Sequence, residues 1–321
     1  MPIKRHTKVV LAVALSWGFA LPTPVLAADK ISMGLVVETL GNPYFACVTG
    51  AAKDEAAKLG TVDLTVVGAS LGTDLVGMTR MIDDMIQKKV DVLAFNALDP
   101  NAMMSTVKKA KDAGLKVLTF SDDTAEPVAD HFIGGFPQEG AKQAAKYVAR
   151  KIGGTGKVAI LEGVPGNMSS ILRRRGVEEG LKEYPDIQVV GVWAANWDRA
   201  QGFQKAQDIL TSNPDLKAIV AVNDEMALGA LQAVRSAGKE GKVVISGFNG
   251  VEQAVKAVYA GELAATVMVF CQEEGKELVH TALSVMKGGD KAAYHVDTGT
   301  VMLDTTSLRA VGSMLGAPAA K

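Results

Sequence analysis

The sequence predicts an α/β protein of parallel sheets shared between two domains, and three observations carry that reading. From Ile31 onward, short β-branched runs alternate with amphipathic stretches of a dozen or more residues, the signature of βαβ units. Nine such runs occur, a number that one large sheet, an eight-fold barrel with an extra strand, or two smaller sheets could accommodate. The chain has 321 residues, 48% of them hydrophobic, and that length favours two sheets, each with its own core.

Ahead of the first strand, Lys4, Arg5, His6 and Lys8 precede an apolar stretch from Val9 to Ala20, and small or slim residues at Val25 and Ala27 suit cleavage after Ala27. Residues 1–27 therefore read as a secretory signal peptide, its apolar run too short to span a bilayer. No cysteine follows the cleavage point to accept a lipid, so the expected location is free in an oxidising compartment such as a periplasm.

The strands are then expected at Ile31–Val37, Leu64–Val67, Val90–Phe95, Lys116–Phe120, Lys157–Leu161, Gln188–Val192, Ala218–Val222, Val243–Phe248 and Ala265–Val269. Helices are expected between them at Tyr44–Leu59, Asp74–Lys89, Ala102–Ala113, Glu139–Ile152, Ser169–Glu183, Arg199–Thr211, Glu225–Ala237 and Val251–Tyr259, with a last one at Glu273–Lys287. The beat stumbles at His131–Gly135, which marks the expected domain boundary. A faint duplication supports two halves: Ile31–Gly60 and Lys157–Tyr184 both run strand, polar turn, helix.

Open parallel sheets bind ligands outside the carboxyl ends of their strands. The residues there are Glu38, Asn42, Tyr44 and Phe45 after the first strand, Asn96 and Asp99 after the third, and Ser121, Asp122 and Asp123 after the fourth. The second half places Asn167 and Arg173, then Asn196, Trp197 and Asp198, then Asn223 and Asp224, then Asn249 in the same way. Amides, carboxylates and a guanidinium engage adjacent hydroxyls in pairs while a ring covers a C–H face, so the set suits a polyhydroxylated ligand. Asp74 and Asp99-Pro100 are better read as a helix cap and a turn, and Asn223-Asp224 divides into a ligand-facing Asn223 and a capping or lining Asp224. Trp197, between polar Asn196 and charged Asp198, reads as a ligand-stacking ring.

Four segments carry a resemblance over essentially the whole mature chain: Asn42-Pro43-Tyr44-Phe45, Arg173-Arg174-Arg175-Gly176, the run Asn223-Asp224-Glu225-Met226-Ala227-Leu228-Gly229-Ala230-Leu231, and Gly247-Phe248-Asn249-Gly250. Through them the sequence resembles the type I periplasmic substrate-binding proteins of sugar ABC transporters, in the ribose-binding-protein-like group. The resemblance implies two Rossmann-like lobes joined by a three-segment hinge, residues 28–133 plus 268–297 forming the first and 134–267 plus 298–321 the second. It also implies a monomer that captures a monosaccharide or sugar alcohol between the lobes and delivers it to a membrane ABC permease, with no cofactor. Asn42, Asn223 and Asn249 would take hydroxyls, Tyr44, Phe45 and Trp197 would stack, and Arg173 would clamp. Ribose binders of the group carry Ser at the place of Glu38, Asp-Arg at Ser121-Asp122, Asp at Asn249 and a Gln near Val269. The pocket is therefore more acidic than theirs, which suits other monosaccharides, polyols or an amino sugar and disfavours acidic sugars.

Other classes find less support. Thirty-four basic against 35 acidic residues give no nucleic-acid footprint, and a signal peptide stands where related regulators carry a helix-turn-helix. Gly68-Ala69-Ser70-Leu71-Gly72 matches GxSxG and invites a hydrolase, yet Thr73-Asp74 reads as a helix cap that leaves Ser70 in a loop. Gly153-Gly154-Thr155-Gly156-Lys157 precedes a strand and is a turn, and four scattered histidines have no metal-ligand spacing. Sensing through a chemoreceptor would use the same closed surface as transport. On the implied topology Cys47 and Cys271 share the first lobe, as a disulfide or as two buried thiols, and substitution of either is expected to leave ligand binding nearly unchanged.

Overall fold

A computed structural model describes residues 30–288 and 293–314; the signal-peptide segment lies outside the described residues. The first half of the beat folds as β1 (Ile31–Val37), α1 (Pro43–Leu59), β2 (Val62–Gly68), α2 (Leu75–Gln87), β3 (Val92–Phe95), α3 (Ala102–Asp112), β4 (Lys116–Phe120) and β5 (His131–Gly134). There follow α4 (Pro137–Lys151), β6 (Thr155–Glu162), α5 (Met168–Lys182), β7 (Asp186–Ala194), α6 (Arg199–Ser212), β8 (Leu216–Ala221), α7 (Asp224–Ser236), β9 (Val244–Asn249), α8 (Glu252–Tyr259) and β10 (Ala265–Val269). The described chain ends with α9 (Cys271–Met286), β11 (His295–Asp297), β12 (Thr300–Asp304) and α10 (Thr305–Met314).

Two six-stranded sheets result, β11-β5-β4-β3-β1-β2 at the centre of the first lobe and β12-β10-β9-β8-β6-β7 at the centre of the second. The inner strands are buried on both faces, as in β3, where every residue is inaccessible, which is why they read as unbroken apolar runs. In both sheets the order reverses beside the first strand, between β1 and β3 and between β6 and β8, so each lobe has its switch-point crevice on the same side.

The chain passes between the sheets three times: from β5 to β6, from β10 to β11, and from β11 to β12. The crossing segments touch, since a Cβ on Gly135 would lie 2.7 Å from Thr300 Cγ2 and 2.9 Å from the Gly299 carbonyl oxygen. Three strands depart from the sequence reading. The stumble at His131–Gly135 is itself a strand, β5, hydrogen-bonded beside β4. Short β11 and β12 carry too few β-branched residues to announce themselves, and β12 pairs antiparallel to β10 in an otherwise parallel sheet.

Helix pairs flank the sheets at close range. A Cβ on Gly176 of α5 would meet the Gln138 carbonyl oxygen of α4 at 2.1 Å, and one on Gly229 of α7 would meet the Arg199 carbonyl oxygen of α6 at the same distance. Glycines in two of the sequence motifs thus serve helix packing. On the first lobe α1 lies along α9, joined by a disulfide between Cys47 and Cys271 with Cα atoms 5.8 Å apart.

Candidate ligand-binding site

Side chains at the strand ends are held by the same residues that start the next helix. Asn42, Asn167, Asp198 and Asn223 each cap a helix, accepting from the backbone N–H of Tyr44, Ser170, Gln201 and Met226 respectively. Ser121, Asn196, Trp197 and Asn249 take positive φ, at 58°, 51°, 62° and 117°, a conformation that costs a non-glycine residue about 1–3 kcal/mol and turns each chain sharply at the sheet's edge.

These turns surround one cavity between the lobes. From the first lobe it is lined by Glu38, Asn42, Tyr44, Phe45, Ser121 and Asp122. The second lobe supplies Ser169, Arg173, Trp197, Asn223 and Asn249. Of the strand-end residues, Asn96, Asp99, Asp123, Asn167, Asn196, Asp198 and Asp224 do not line it, whereas Ser169, which the strand-end pattern did not single out, does.

Tyr44 and Phe45 sit edge to face with centroids 5.4 Å apart, and Phe45 abuts core Phe120, so the first lobe's rings are rigidly mounted. Across the cavity Arg173, only 5% exposed, donates from Nη1 to the Val222 carbonyl and to Asn249 Oδ1, both at 2.9 Å. Its guanidinium carbon lies 4.0 Å from the Phe248 ring centroid and 5.5 Å from that of Trp197. Trp197 lies flat over Gly163, where a Cβ would come within 2.2 Å of the indole.

Two expected roles change. Asn223 takes the cap expected of Asp224 while still lining the cavity: it caps α7 and its amide donates to the Trp197 carbonyl, leaving one N–H for the cavity. Asp224 is fully buried and accepts from Thr266 Oγ1 and the Val251 N–H, tying α7 to β10 and to the start of α8. Asn42 spends its carbonyl oxygen on the Tyr44 N–H, so only its amide hydrogens face outward.

The lobes are in direct contact at the cavity floor. Asp122 Oδ1 accepts the Ser169 N–H at 2.9 Å, Ser169 Oγ donates to the Ser121 carbonyl at 3.2 Å, and Asn167 Nδ2 donates to the Leu98 carbonyl at 3.4 Å. The carboxyls outnumber the cation: burial, helped by the Asp122 charge, pushes Glu38 well above the carboxylate range, and burial raises Asp122 while the Ser169 bonds hold it down. Burial also lowers Arg173, opposed by Asp122 and other acidic neighbours. Glu38 is anchored through Asn96, which donates from Nδ2 at 3.2 Å and accepts the Glu38 N–H at 2.9 Å.

Two residues escaped sequence reasoning. Ser169 was legible only as a helix start. Glu274, on α9, lies far along the chain from Tyr44 but accepts its hydroxyl at 2.5 Å, and nothing in its Cys-Gln-Glu-Glu-Gly context marks it. Ser70 of the GxSxG match is exposed in the loop before α2, whose cap is Asp74, while His131, His280 and His295 pair with Ala293, Glu55 and Gly134.

Comparison with known proteins follows the same lines. The model for the periplasmic binding protein domain matches residues 33–290. The ribose import binding protein of Escherichia coli is 34% identical over 303 residues, covering 94% of this chain and 99% of that protein. The D-allose-binding periplasmic protein of the same organism is 30% identical over 283 residues, 86% of this chain and 89% of that one. Among solved structures, an ABC transporter periplasmic solute binding protein from Actinobacillus succinogenes with bound D-allose superposes with a TM-score of 0.81 at 30% identity, covering 87% of this chain and 99% of that one.

Proposed function

The chain belongs to the periplasmic binding protein domain family, and from that premise we propose that it captures a neutral monosaccharide or sugar alcohol between its lobes and hands it to an ABC transporter permease. The observation that supports this best is the composition of the cavity. Rings stand on both walls, and amides, carboxyls and one guanidinium fill the gaps between them. A polyol offers each of these groups what it lacks, because a hydroxyl both donates to a carboxyl and accepts from an amide or guanidinium.

Capture then follows from the architecture. In an open state Glu38, Asp122 and Arg173 are hydrated; closing about the three crossings strips that water, and ligand hydroxyls replace it. Only the closed state brings Asp122 to Ser169, so the ligand stabilises a surface that a permease can distinguish from the open form. An acidic sugar would add charge to an acidic cavity and is rejected, whereas an amino sugar remains chemically compatible with Glu38 and Asp122. The protein performs no chemistry on the ligand, is exported to the periplasm, and loses residues 1–27 on the way, a mass that intact-protein spectrometry reads directly.

The test is a thermal-shift screen of residues 28–321 against pentoses, hexoses, polyols, amino sugars and simple esters. A ligand at 100 times its Kd adds about 2.7 kcal/mol to stability. A large shift with a neutral sugar or polyol and no turnover supports the proposal; no shift with any of them, or hydrolysis of an ester, overturns it.

A further inference from the structure

Behind the cavity lies a second chamber that shares Tyr44, Ser121, Ser169 and Arg173 with it and ends at Glu274. Its other walls are Phe248, Val269 and Pro137, contributed by β9, the end of β10 and the start of α4, with Gly135 and Thr300 from two of the crossings. Two of its lining residues carry a polar atom without a partner. Glu274 is wholly buried and only its Oε2 is used, by the Tyr44 hydroxyl, leaving Oε1 unbonded; Arg173 Nε is likewise buried and unbonded. Leaving two such groups unpaired costs about 1–3 kcal/mol each, more when charged, so a bound group that satisfied both would be favoured.

We propose, resting on the sugar-binding reading above, that this chamber is a hexose-selecting subsite: it receives the exocyclic hydroxymethyl group, with Glu274 and Arg173 holding its hydroxyl and Phe248 and Val269 packing on its methylene. A hydroxyl is the smallest group that accepts from Arg173 and donates to Glu274 at once. It also tolerates either protonation state of Glu274, whose carboxyl is pushed up to about 8, chiefly by burial. The pentose of matching stereochemistry lacks this group and leaves both atoms unpaired, and sites with such buried polar groups discriminate most strongly against the analogue that lacks the partner.

The placement of Glu274 is itself secured. Tyr44 and Cys47 lie one turn apart on α1, as do Cys271 and Glu274 on α9, so the Tyr44–Glu274 hydrogen bond and the Cys47–Cys271 disulfide form two adjacent rungs between the helices. Gly275 lets the helices approach, since a Cβ there would lie 2.3 Å from the Val48 carbonyl oxygen.

The experiment is calorimetric titration with three matched pairs that differ only in that group: D-allose and D-ribose, D-glucose and D-xylose, D-galactose and L-arabinose. Wild-type protein should bind the hexose of any recognised pair at least about tenfold more tightly, equivalent to one strong hydrogen-bonding group. Glu274→Leu should reduce the within-pair ratio to near one, and Glu274→Gln, which keeps size and an acceptor, should retain part of it; melting curves of both variants establish that they fold. Equal affinities within the pairs, or an unchanged ratio in folded Glu274→Leu and Glu274→Gln, overturn the subsite while leaving sugar binding intact. Failure of wild-type protein to bind any of the six and any polyol overturns both.

Discussion

The two walls of the cavity are assembled in opposite ways. The second lobe's Arg173 is anchored within its own lobe, through Nη1 to the Val222 carbonyl and Asn249 and against the faces of Phe248 and Trp197, and so is in place before any ligand arrives. The first lobe's Asp122 finds its partner across the gap, on Ser169 at the start of α5. One wall is a preformed cation platform, and the other is an acidic wall completed by closure. Binding selectivity is therefore expected to fail when the platform is removed, and closure to weaken when the acidic wall is altered.

Removing the platform should have the largest effect. Arg173→Ala leaves Glu38, Asp122 and Glu274 without the guanidinium that offsets them, and a broken buried charge network costs about 3 kcal/mol or more. Titration calorimetry should show affinity for the ligand found in the screen falling by more than about 100-fold; an unchanged Kd would remove Arg173 from the site.

The disulfide tests whether the first lobe needs a staple that the second does without. Replacing Cys47 and Cys271 with Ser should lower stability by about 2–4 kcal/mol, seen as a drop in Tm, because the bond closes a very long loop. Ligand Kd should change less than about threefold, since Tyr44 remains packed on Phe45.

Titration sharpens the contrast further. Glu274 and Asp224 are raised to about 8 and about 6, chiefly by burial, so each contributes stability that is fully present below its unfolded pKa and is lost as pH rises through the folded value. The wild-type Tm should therefore fall from about pH 4 to about pH 8, with the share of Asp224 complete near pH 6 and that of Glu274 near pH 8, and Glu274→Gln should flatten the part above pH 6. A slope identical in the variant would mean that Glu274 does not titrate there.

Trp197→Ala should be mildest. Loss of stacking weakens binding by about 1 kcal/mol and removes most of the ligand-dependent fluorescence change. Unaltered binding and fluorescence response would make Trp197 part of the core alone.

The strands were legible because parallel strands buried on both faces read as continuous apolar runs, and the site because residues just past the carboxyl ends of such strands line the ligand crevice. Short β11 and β12 were not legible: three to five residues, half exposed, carry too little hydrophobic signal. That Asn223 both caps α7 and lines the cavity while Asp224 does neither was also hidden, because a cap and a ligand contact demand the same side chains and only three-dimensional proximity to Thr266 separates them. Glu274 needed the crossing at β10 to bring α9 beside α1, a long-range contact that no local pattern encodes.

The central claim is that a ligand bridges two half-sites by closing them. Small-angle X-ray scattering of residues 28–321, titrated with the sugar or polyol from the screen, tests it directly. The account predicts a radius of gyration that falls as ligand is added and saturates at the calorimetric Kd, with Arg173→Ala showing no such change at the same concentrations. Saturation of binding with no change in the radius of gyration would contradict it.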